Sequence, residues 1–322
     1  MRIVVTGGAG FIGSCIVRDL NDKGREDIII VDDIGSTDKW MNMRNKKYLR
    51  YVHKTAFLES LLKCDEIEAI IHMGACSSTT EKDFDYLWKN NFEYTKTLWE
   101  YCSNKQIPFI YASSAATYGD GSKGFDDRQD IDKLEPLNGY GYSKHVFDQW
   151  VKHQAKSFPK QYAGLKFFNV YGPNEYCKGS MASMVFHGYR QIRETGRIKL
   201  FKSYKDGIAD GDQRRDFVYV KDVCDVIMWL LDNPEVNGLF NVGTGRAQSF
   251  RELAEATFHA MNREPNIEYI DMPETLKDKY QYFTQADMGK LREAGYTKDF
   301  MDIEHGAADY VQNHLEKGYA IY

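Results

Sequence analysis

The stretch from residue 1 to residue 32 limits the possible folds of this 322-residue chain more than any other part of it. An apolar run, Ile3-Val4-Val5, predicts a strand and leads directly into the glycine-rich sequence TGGAGFIG at residues 6–13. Apolar residues at helical spacing follow from Phe11 to Lys23, and Ile28 to Val31 predict a second strand. A strand, a glycine-rich turn, a helix and a second strand in this order are typical of a parallel α/β sheet.

Later segments continue this alternation. Ala69 to Ile71 and Phe109 to Tyr111 predict strands, with a helix between them from about Asp83 to Asn104. A long helix is predicted from about Asn138, followed by a strand near Leu165 to Phe168. Because the strands are continuously apolar, both faces of the sheet should be covered. We therefore predict a doubly wound parallel (Rossmann) sheet with a smaller α/β substrate-binding lobe.

The second half of the chain is less regular. Phe217 to Val220 predicts a strand followed by a helix from Asp222, and Leu239 to Val242 predicts another strand. Ser249 and Glu252 have the spacing of a helix capping box. We predict a dinucleotide-binding domain of residues 1–169 plus about 216–246, and a substrate-binding lobe of about 170–215 plus 247–322.

Composition excludes several classes of protein. The net charge is -5, from 42 Lys and Arg against 47 Asp and Glu, with no basic cluster, so nucleic-acid binding is not expected. No apolar run approaches the roughly 20 residues of a membrane span. The first strand begins almost at residue 1, which leaves no room for a signal peptide and predicts a cytoplasmic protein. The six cysteines (15, 64, 76, 102, 177 and 224) form no C-x-x-C pair, so we expect reduced thiols and no metal site.

The glycine-rich turn predicts a dinucleotide site. Gly7, Gly10 and Gly13 would let the backbone approach a pyrophosphate closely, at a helix N-terminus whose free N–H groups favour an anion. Asp32 closes the second strand nineteen residues after Gly13, where a carboxylate can bind the cofactor ribose.

The residues around Asp32 leave the choice of cofactor open. Asp32 and Asp33 would favour the free ribose 2′-hydroxyl of NAD. Lys39, seven residues after Asp32, could instead neutralise the 2′-phosphate of NADP.

A Tyr-x-x-x-Lys motif is the candidate catalytic group. Tyr140 and Lys144 open a predicted helix 26 residues after Ser114, which lies just beyond a strand at the carboxyl edge of the sheet. Context favours this pair over the other two occurrences of the spacing. Those are Tyr101/Lys105 and Tyr162/Lys166.

The spacing suits an alcohol dehydrogenation. Residues four apart share one helix face, so Lys144 should place positive charge near Tyr140 and lower the pKa of its phenol from about 10. Tyr140 can then remove an alcohol proton as hydride leaves for the cofactor. Ser114 can bind the same oxygen, with Ser113 as its neighbouring rival. These residues predict a nicotinamide-dependent enzyme acting on an alcohol, and we expect a sugar nucleotide as substrate.

The G-x-x-G-x-x-G spacing resembles the extended short-chain dehydrogenase/reductase family. Nearly the whole chain resembles one branch of it, the ADP-glyceromanno-heptose 6-epimerase family, and the segments CKGSMAS and YQYFTQAD are the most specific. The matching segments are HMGACSSTTEKD (72–83), YASSAATYGD (111–120), PLNGYGYSK (136–144), FFNVYGPNEYCKGSMAS (167–183), RRDFVYVKDV (214–223), FNVGTGRAQSF (240–250) and KYQYFTQAD (279–287).

The resemblance implies a reaction: inversion of C6 of the heptose in ADP-D-glycero-β-D-manno-heptose, for lipopolysaccharide core synthesis. Hydride would leave C6 for the cofactor and return to the opposite face, with Tyr140 and Lys178 as acid/base groups on opposite sides. The resemblance also implies NADP as cofactor, with NAD as the alternative because Asp33 departs from some members. It further implies a homo-oligomer, specifically a homopentamer.

The resemblance also assigns binding residues. Cofactor positions beyond the glycines are Phe11, Ile12, Asp32, Asp33, Lys39, Lys54, Met73, Gly74, Ala75, Cys76, Ser77, Asn90, Lys144, Val170 and Lys178. Substrate positions are Ser114, Asn169, Ser180, His187, Phe201, Lys202, Ser203, Tyr204, Arg215 and Tyr280.

Two alternatives remain. One is a 4-epimerase or 4,6-dehydratase acting on another nucleotide sugar, although a dehydratase would want an Asp-Glu pair where this chain has Ala115-Ala116. The other is a redox-sensing regulator without catalysis, which would have no need of Ser114, Tyr140 and Lys144.

Overall fold

A computed structural model describes residues 1–61, 66–277 and 280–322 of the chain. Cys64, and Lys279 at the start of one matching segment, lie outside these ranges. The strands are β1 (Arg2–Thr6), β2 (Ile28–Asp32), β3 (Arg50–His53), β4 (Ile67–His72), β5 (Phe109–Ser114), β6 (Tyr162–Phe167), β7 (Asn169–Tyr171), β8 (Ile198–Phe201), β9 (Arg214–Tyr219), β10 (Gly238–Val242), β11 (Ala247–Ser249) and β12 (Ile267–Ile270).

The helices vary from one turn to four. They are α1 (Phe11–Asp22), α2 (Lys54–Leu61), α3 (Phe84–Leu87), α4 (Tyr94–Lys105), α5 (Gly139–His153), α6 (Met184–Thr195), α7 (Val220–Asp232), α8 (Phe250–Ala260), α9 (Glu274–Lys277), α10 (Gly289–Glu293) and α11 (Ile303–Tyr310). Short 3-10 turns cover Asp38–Met43, Ala115–Tyr118, Ile131–Lys133 and Gly179–Met181, and wider π turns cover Trp88–Glu93 and Val311–Leu315.

A seven-stranded sheet in the order β10-β6-β5-β4-β1-β2-β3 forms the centre of the molecule. All of its strand pairs are parallel. The predicted doubly wound sheet is therefore confirmed. The strand order reverses at β1, which lies between β4 and β2, and a crevice for ligands opens at such a point beyond the carboxyl ends of the strands.

Both faces of this sheet are buried. Ile3 and Val5 of β1 point into one apolar cluster together with side chains of α1 and α7. Val4 points into a second cluster with Trp99 of α4 and Phe147 of α5. Alternate residues of one strand thus enter opposite cores, which explains why the strand sequences are continuously apolar.

Most of the predicted elements are present. Residues 84–105 form one continuous helical stretch of α3, the π turn and α4. Asn138 caps α5, its side chain accepting a hydrogen bond from the Gly141 N–H at 2.8 Å. The capping box at Ser249 and Glu252 is also present.

The later segments form smaller sheets. Strands β11, β9 and β7 make a three-stranded sheet, and β12 pairs with β8. Helices α6, α8 and α11 pack on the first of these around residues such as Tyr171, Phe217 and Tyr310. The boundaries of the two predicted domains stay a prediction. Within the described ranges, no helix is long and apolar enough to cross a membrane.

Candidate active site

A cleft of about 570 Å³ opens at the carboxyl ends of β1, β4 and β5 and continues to the turn after β7. Most of the predicted cofactor and catalytic residues line it. They are Gly7, Gly10, Phe11, Ile12, Gly13, Asp32, Lys39, Met73, Gly74, Ala75, Cys76, Ser77, Ser114, Tyr140, Lys144, Val170 and Lys178. A side pocket of about 130 Å³ shares Gly7, Asp32 and Lys39 with it. Its lining adds Asp33, Lys54 and Asn90.

The glycine-rich turn leaves no room for a side chain at Gly7 or Gly13. Gly7 has a φ of +66°, in the left-handed region. A Cβ on Gly13 would lie 2.1 Å from the Gly7 carbonyl oxygen. Helix α1 begins after Gly10 with no side chain capping its first N–H groups. Exposed backbone donors at a helix start fit the pyrophosphate of a dinucleotide.

Two carboxylates and two lysines face each other where the sequence predicts the cofactor ribose. Lys39 Nζ lies 2.7 Å from Asp32 Oδ1, and Lys54 Nζ lies 3.1 Å from Asp33 Oδ2. The hydrogen bond from Lys54 lowers the pKa of Asp33 below its usual range. The Asp33 carboxylate therefore stays ionised at neutral pH, and each of the two carboxylates lies beside a lysine that a phosphate could also attract.

The electrostatics at Tyr140 differ from the prediction. The pKa of Tyr140 is raised by burial in the cleft wall, and a hydrogen bond with Ser114 acts in the opposite direction. We expected Lys144 to lower this pKa. Instead, Lys144 Nζ donates to the Ala112 carbonyl at 2.9 Å.

The pKa of Lys144 is also shifted from its usual value. Only 4% of this residue is exposed. Burial lowers the pKa of Lys144 to about 8, and the charge of Asp148 acts against that decrease. The ammonium form thus prevails only below about pH 8, which limits the charge that it can offer to Tyr140.

The structure distinguishes the two rival serines. Ser113 donates its hydroxyl to buried Asp148 at 2.6 Å. Ser114 Oγ accepts a hydrogen bond from the Ala116 N–H at 3.1 Å and keeps its own proton for another acceptor. These contacts favour Ser114 as the residue that binds a substrate oxygen.

Lys178 lies in the turn after β7. Its Nζ is 3.5 Å from Ser77 Oγ and 5.9 Å from the centre of the Phe11 ring. Burial lowers the pKa of Lys178, and the charge of Glu175 opposes this. A lysine with a lowered pKa can act as a base near neutral pH, which the sequence alone could not show.

The rival Tyr-x-x-x-Lys pairs lie elsewhere. Tyr101 is buried on α4, within the second apolar cluster. Lys166 forms a buried ion pair with Asp148. Neither pair lines the cleft, whereas Tyr140 and Lys178 both do.

The predicted substrate residues form two groups. Ser114 and Asn169 line the cleft, and Ser180 follows Lys178 in the short turn Gly179–Met181. His187 lies on α6 with its ring against Phe186. The others form a second group at β8 and β9, outside the lining of the cleft. These are Phe201, Lys202, Ser203, Tyr204, Arg215 and Tyr280.

Arg215 is the centre of the second group. Its guanidinium carbon lies 5.3 Å from the centre of the Tyr280 ring, and Phe201 packs edge-on against the same ring. Only 8% of Arg215 is exposed. In the ranges that the structure covers, no carboxylate pairs with it, so its charge is available to a diphosphate.

Sequence reasoning missed several residues that line the cleft. They include Asn42, Ser78, Ala112, Phe167, Phe168, Asn174, Cys177 and Met181. Asn174 and Cys177 lie close to Lys178 in the chain, which was the available signal. Among the described residues, no group of three His, Cys, Asp or Glu could hold a metal ion, and the predicted lack of a metal stays a prediction.

Residues 3–243 match the model of the NAD dependent epimerase/dehydratase family. The chain belongs to that family. Within it, the chain is 54% identical to the ADP-L-glycero-D-manno-heptose-6-epimerase of Fusobacterium nucleatum subsp. nucleatum, over 98% of both chains. It is 52% identical to the enzyme of the same name from Nitratidesulfovibrio vulgaris, over 97% of both. The resemblance found in the sequence is thereby confirmed.

Solved structures of the family agree with this placement. The Helicobacter pylori ADP-L-glycero-D-manno-heptose-6-epimerase has a TM-score of 0.82 at 28% identity and covers 97% of this chain and 95% of its own. A Thermotoga maritima UDP-glucose 4-epimerase has a TM-score of 0.81 at 24% identity, over 99% of this chain and 100% of its own, and shows the shared fold alone. The family and the glycine turn together establish a nicotinamide dinucleotide as the class of cofactor.

Proposed function

We propose that this chain inverts C6 of the heptose in ADP-D-glycero-β-D-manno-heptose, giving ADP-L-glycero-β-D-manno-heptose for lipopolysaccharide core synthesis. The observation that carries the proposal is the 54% identity to a curated 6-epimerase over 98% of both chains. The cleft supports it, because Tyr140 and Lys178 line one cavity together with the glycine turn.

Gly7, Gly10 and Gly13 would hold a nicotinamide dinucleotide in the cleft, and its chemistry would be the reversible transfer of a hydride from and to C6. Tyr140 holds or accepts the proton of the C6 hydroxyl in one epimer, since its phenol lines the cleft beside Ser114. Lys178 serves the hydroxyl of the other epimer, which points to the opposite side. Two acid/base groups are needed because inversion moves the oxygen from one side of the carbon to the other.

Ser114 and Lys144 support Tyr140. The Ser114 hydroxyl can bind the reacting oxygen and acts to lower the pKa of Tyr140. Lys144 supplies positive charge below about pH 8 and holds the Ala112 carbonyl at the end of β5. Both residues act by orientation and charge, while Tyr140 and Lys178 transfer the protons.

Arg215 is the residue that we propose for binding the ADP part of the substrate. Strand β9 pairs with β7, with Asn169 opposite Phe217. Arg215 lies two residues before Phe217, and residues two apart share one face of a strand. The residues around Arg215 that we propose to bind the nucleotide are thus connected to Asn169 in the cleft through the pairing of β9 with β7. The diphosphate would pair with the buried guanidinium, and Phe201 to Tyr204 would flank the nucleotide.

The alternative is another nucleotide-sugar reaction. Ala115 and Ala116 form the start of the 3-10 turn after Ser114 and offer no acid for a 4,6-dehydratase. The test is incubation of the cofactor-loaded protein with ADP-D-glycero-β-D-manno-heptose, followed by chromatographic separation of the epimers. UDP-glucose and UDP-galactose serve as competing substrates. Failure to form the L-glycero epimer would reject the proposal, and conversion of a UDP-sugar would support the alternative.

We further propose NADP as the cofactor, with NAD as the alternative. Lys39 and Lys54 lie at the ribose end, where a 2′-phosphate could replace the carboxylates as their partner. We expect NADP to raise the melting temperature more than NAD does at equal concentration, because tighter binding stabilises the folded state more. Lys39→Met should remove this difference, whereas Lys47→Met, on an exposed lysine paired with Glu26, should keep it. A larger shift with NAD would overturn this assignment.

The cytoplasm is the proposed compartment, and a homopentamer the proposed assembly. Both rest on the family resemblance and on the substrate class. Analytical ultracentrifugation of the purified protein would measure the assembly, and fractionation of cells would locate it. A monomer, or a protein recovered from the membrane fraction, would overturn the corresponding proposal.

A further inference from the structure

The carboxyl end of β5, which places Ser114 at the cleft, is held by two residues of α5. Lys144 Nζ donates to the Ala112 carbonyl at 2.9 Å. Asp148 accepts the Ser113 hydroxyl at 2.6 Å. Two consecutive residues before Ser114 are therefore fixed by two side chains one helical turn apart.

A buried lysine of the neighbouring strand completes this support. Lys166 Nζ lies 2.9 Å from Asp148 Oδ2 and donates to Thr117 Oγ1 at 2.7 Å. Thr117 in turn donates to the Ser114 carbonyl at 2.8 Å. The side chains of Lys166 and Asp148 are 2% and 0% exposed. Charges this deep in a protein require a partner, so the pair maintains its geometry.

The negative charge of Asp148 also raises the pKa of Lys144. Residues four apart lie on one face of α5, and the charge of Asp148 favours the protonated form of Lys144 against burial. Cys76, after β4, acts in the same direction. His72 of β4 also lies near Lys144, whose charge helps to lower the pKa of that imidazole. In the part of the chain that the structure covers, Asp148 is the carboxylate that acts on Lys144.

We infer that Asp148 is a positioning residue for the reaction proposed above. It keeps Lys144 protonated and, through Ser113 and Lys166, fixes the end of β5 so that Ser114 meets the substrate oxygen. Asp148 does not line the cleft and touches no reacting atom. The inference rests on the proposed function, because only that function gives Lys144 and Ser114 their roles.

The test removes the charge of Asp148 together with that of its ion-pair partner, Lys166. Asp148→Asn/Lys166→Gln removes both buried charges, a change that is often tolerated, whereas removing one alone is strongly destabilising. The protonation of Lys144 is followed by NMR of ¹³C-labelled lysine, with Lys144→Arg to assign its signal. We expect the midpoint of Lys144 to fall by about one pH unit, and kcat at pH 8 to fall about fivefold with KM unchanged.

The Asp148→Glu variant distinguishes the effect of the charge at position 148 from the effect of the position of the carboxylate. It keeps the carboxylate but displaces it, so we expect the midpoint of Lys144 to stay near the wild-type value while kcat falls at every pH. The matched control is Lys221→Gln/Asp309→Asn. It removes an ion pair with a 2.6 Å contact between α7 and α11, outside the cleft lining. It should lower stability without moving the pH profile.

Two results would overturn the inference. One is an unchanged Lys144 midpoint in Asp148→Asn/Lys166→Gln. The other is a shift in Asp148→Glu as large as in the double variant. The NMR titration needs no substrate. A wild-type protein that forms no epimer would therefore refute the proposed function, while the coupling between Asp148 and Lys144 would still be measured.

Discussion

In the proposed reaction, Tyr140 exchanges a proton with the substrate, although burial raises the pKa of its phenol. The hydrogen bond with Ser114 is the contact that opposes this rise. Tyr140→Phe removes the proton-transferring oxygen and leaves the ring. Because general acid–base groups contribute about 10²- to 10⁴-fold, we expect kcat to fall by that factor while nicotinamide binding is kept. Steady-state epimerisation rates and a cofactor titration measure both effects.

Tyr142→Phe is the matched control for this prediction. Tyr142 lies two residues further along α5, is 47% exposed and does not line the cleft. Its variant should keep the wild-type kcat. A Tyr140→Phe enzyme as active as Tyr142→Phe would exclude the phenol from catalysis.

The protonation of Lys178 should make the rate of epimerisation depend on pH. As a base it must be neutral, and burial lowers its pKa, so the neutral amine appears at lower pH than in a free lysine. Epimerisation releases no net proton, so its equilibrium constant does not depend on pH and kcat/KM should rise together in both directions as Lys178 loses its proton. Lys178→Met should abolish this shared rise and lower kcat in both directions, measured from pH 6 to pH 9.

Lys160→Met provides the comparison for Lys178, because Lys160 is exposed and does not line the cleft. Its two pH profiles should match those of the wild type. If Lys178→Met kept the shared rise of kcat/KM with pH, another group would be the second acid/base.

At the level of single residues, the sequence predicted positions but not electrostatic environments. The Tyr-x-x-x-Lys spacing and the strand before it were enough to place Tyr140, Lys144 and Ser114 in one cleft. Spacing could not reveal that Lys144 donates to a backbone carbonyl, or that burial raises the pKa of Tyr140. Those effects depend on burial, which many distant residues create together.

Among the secondary-structure elements, the turn between β1 and α1 carries the sharpest steric constraint. A Cβ on Gly13 would meet the Gly7 carbonyl oxygen at 2.1 Å, and a Cβ on Gly10 would meet it at 3.1 Å. Gly13→Ala must therefore displace backbone, whereas Gly10→Ala requires only a small adjustment. We expect Gly13→Ala to weaken cofactor binding far more than Gly10→Ala, as measured by the fluorescence of bound NADPH. Equal affinities would show that the turn is less closely packed than the structure indicates.

The elements that could be predicted share one property. Strands such as β2 are fully buried, and their apolar runs can be recognised in the sequence. Strand β3 was not predicted, because it is a largely exposed edge strand of four residues, RYVH, with no apolar run. Strands β7 and β11 have three residues each and form only through pairing with β9. Their existence depends on tertiary contacts that no local pattern records.

At the scale of the whole molecule, the proposed substrate has to bridge two groups of residues. The proposed acid/base groups, Tyr140 and Lys178, line the cleft, while Arg215 lies on β9 of the three-stranded sheet. Strand β7 joins the two, since it follows β6 of the large sheet after one residue and pairs with β9. A long substrate such as a nucleotide diphosphate sugar suits this arrangement, with its sugar in the cleft and its phosphates at Arg215.

Stability of the whole molecule should respond to Asp222, a buried carboxylate near the start of α7 that accepts the Met301 N–H at 2.8 Å. Burial raises the pKa of Asp222 to about 6. A folded-state pKa above the unfolded value means that the unfolded chain ionises first, so stability falls as pH rises from about 4 to about 6. Asp222→Asn keeps the acceptor and removes the charge. We expect it to raise the free energy of unfolding at pH 7 by about 1 kcal/mol.

Urea unfolding at several pH values distinguishes this electrostatic cost from a change in packing. The gain in Asp222→Asn should vanish below about pH 4, where the wild-type carboxyl is protonated in both states. Asp232→Asn, on a carboxylate that is 65% exposed and paired with Lys23, should stay within about 0.5 kcal/mol of the wild type throughout. A gain that is the same at pH 4 and pH 7 would mean that the amide improves packing. A loss at pH 7 would mean that the hydrogen bond to Met301 needs a charged acceptor, and that this bond outweighs the desolvation of the carboxylate.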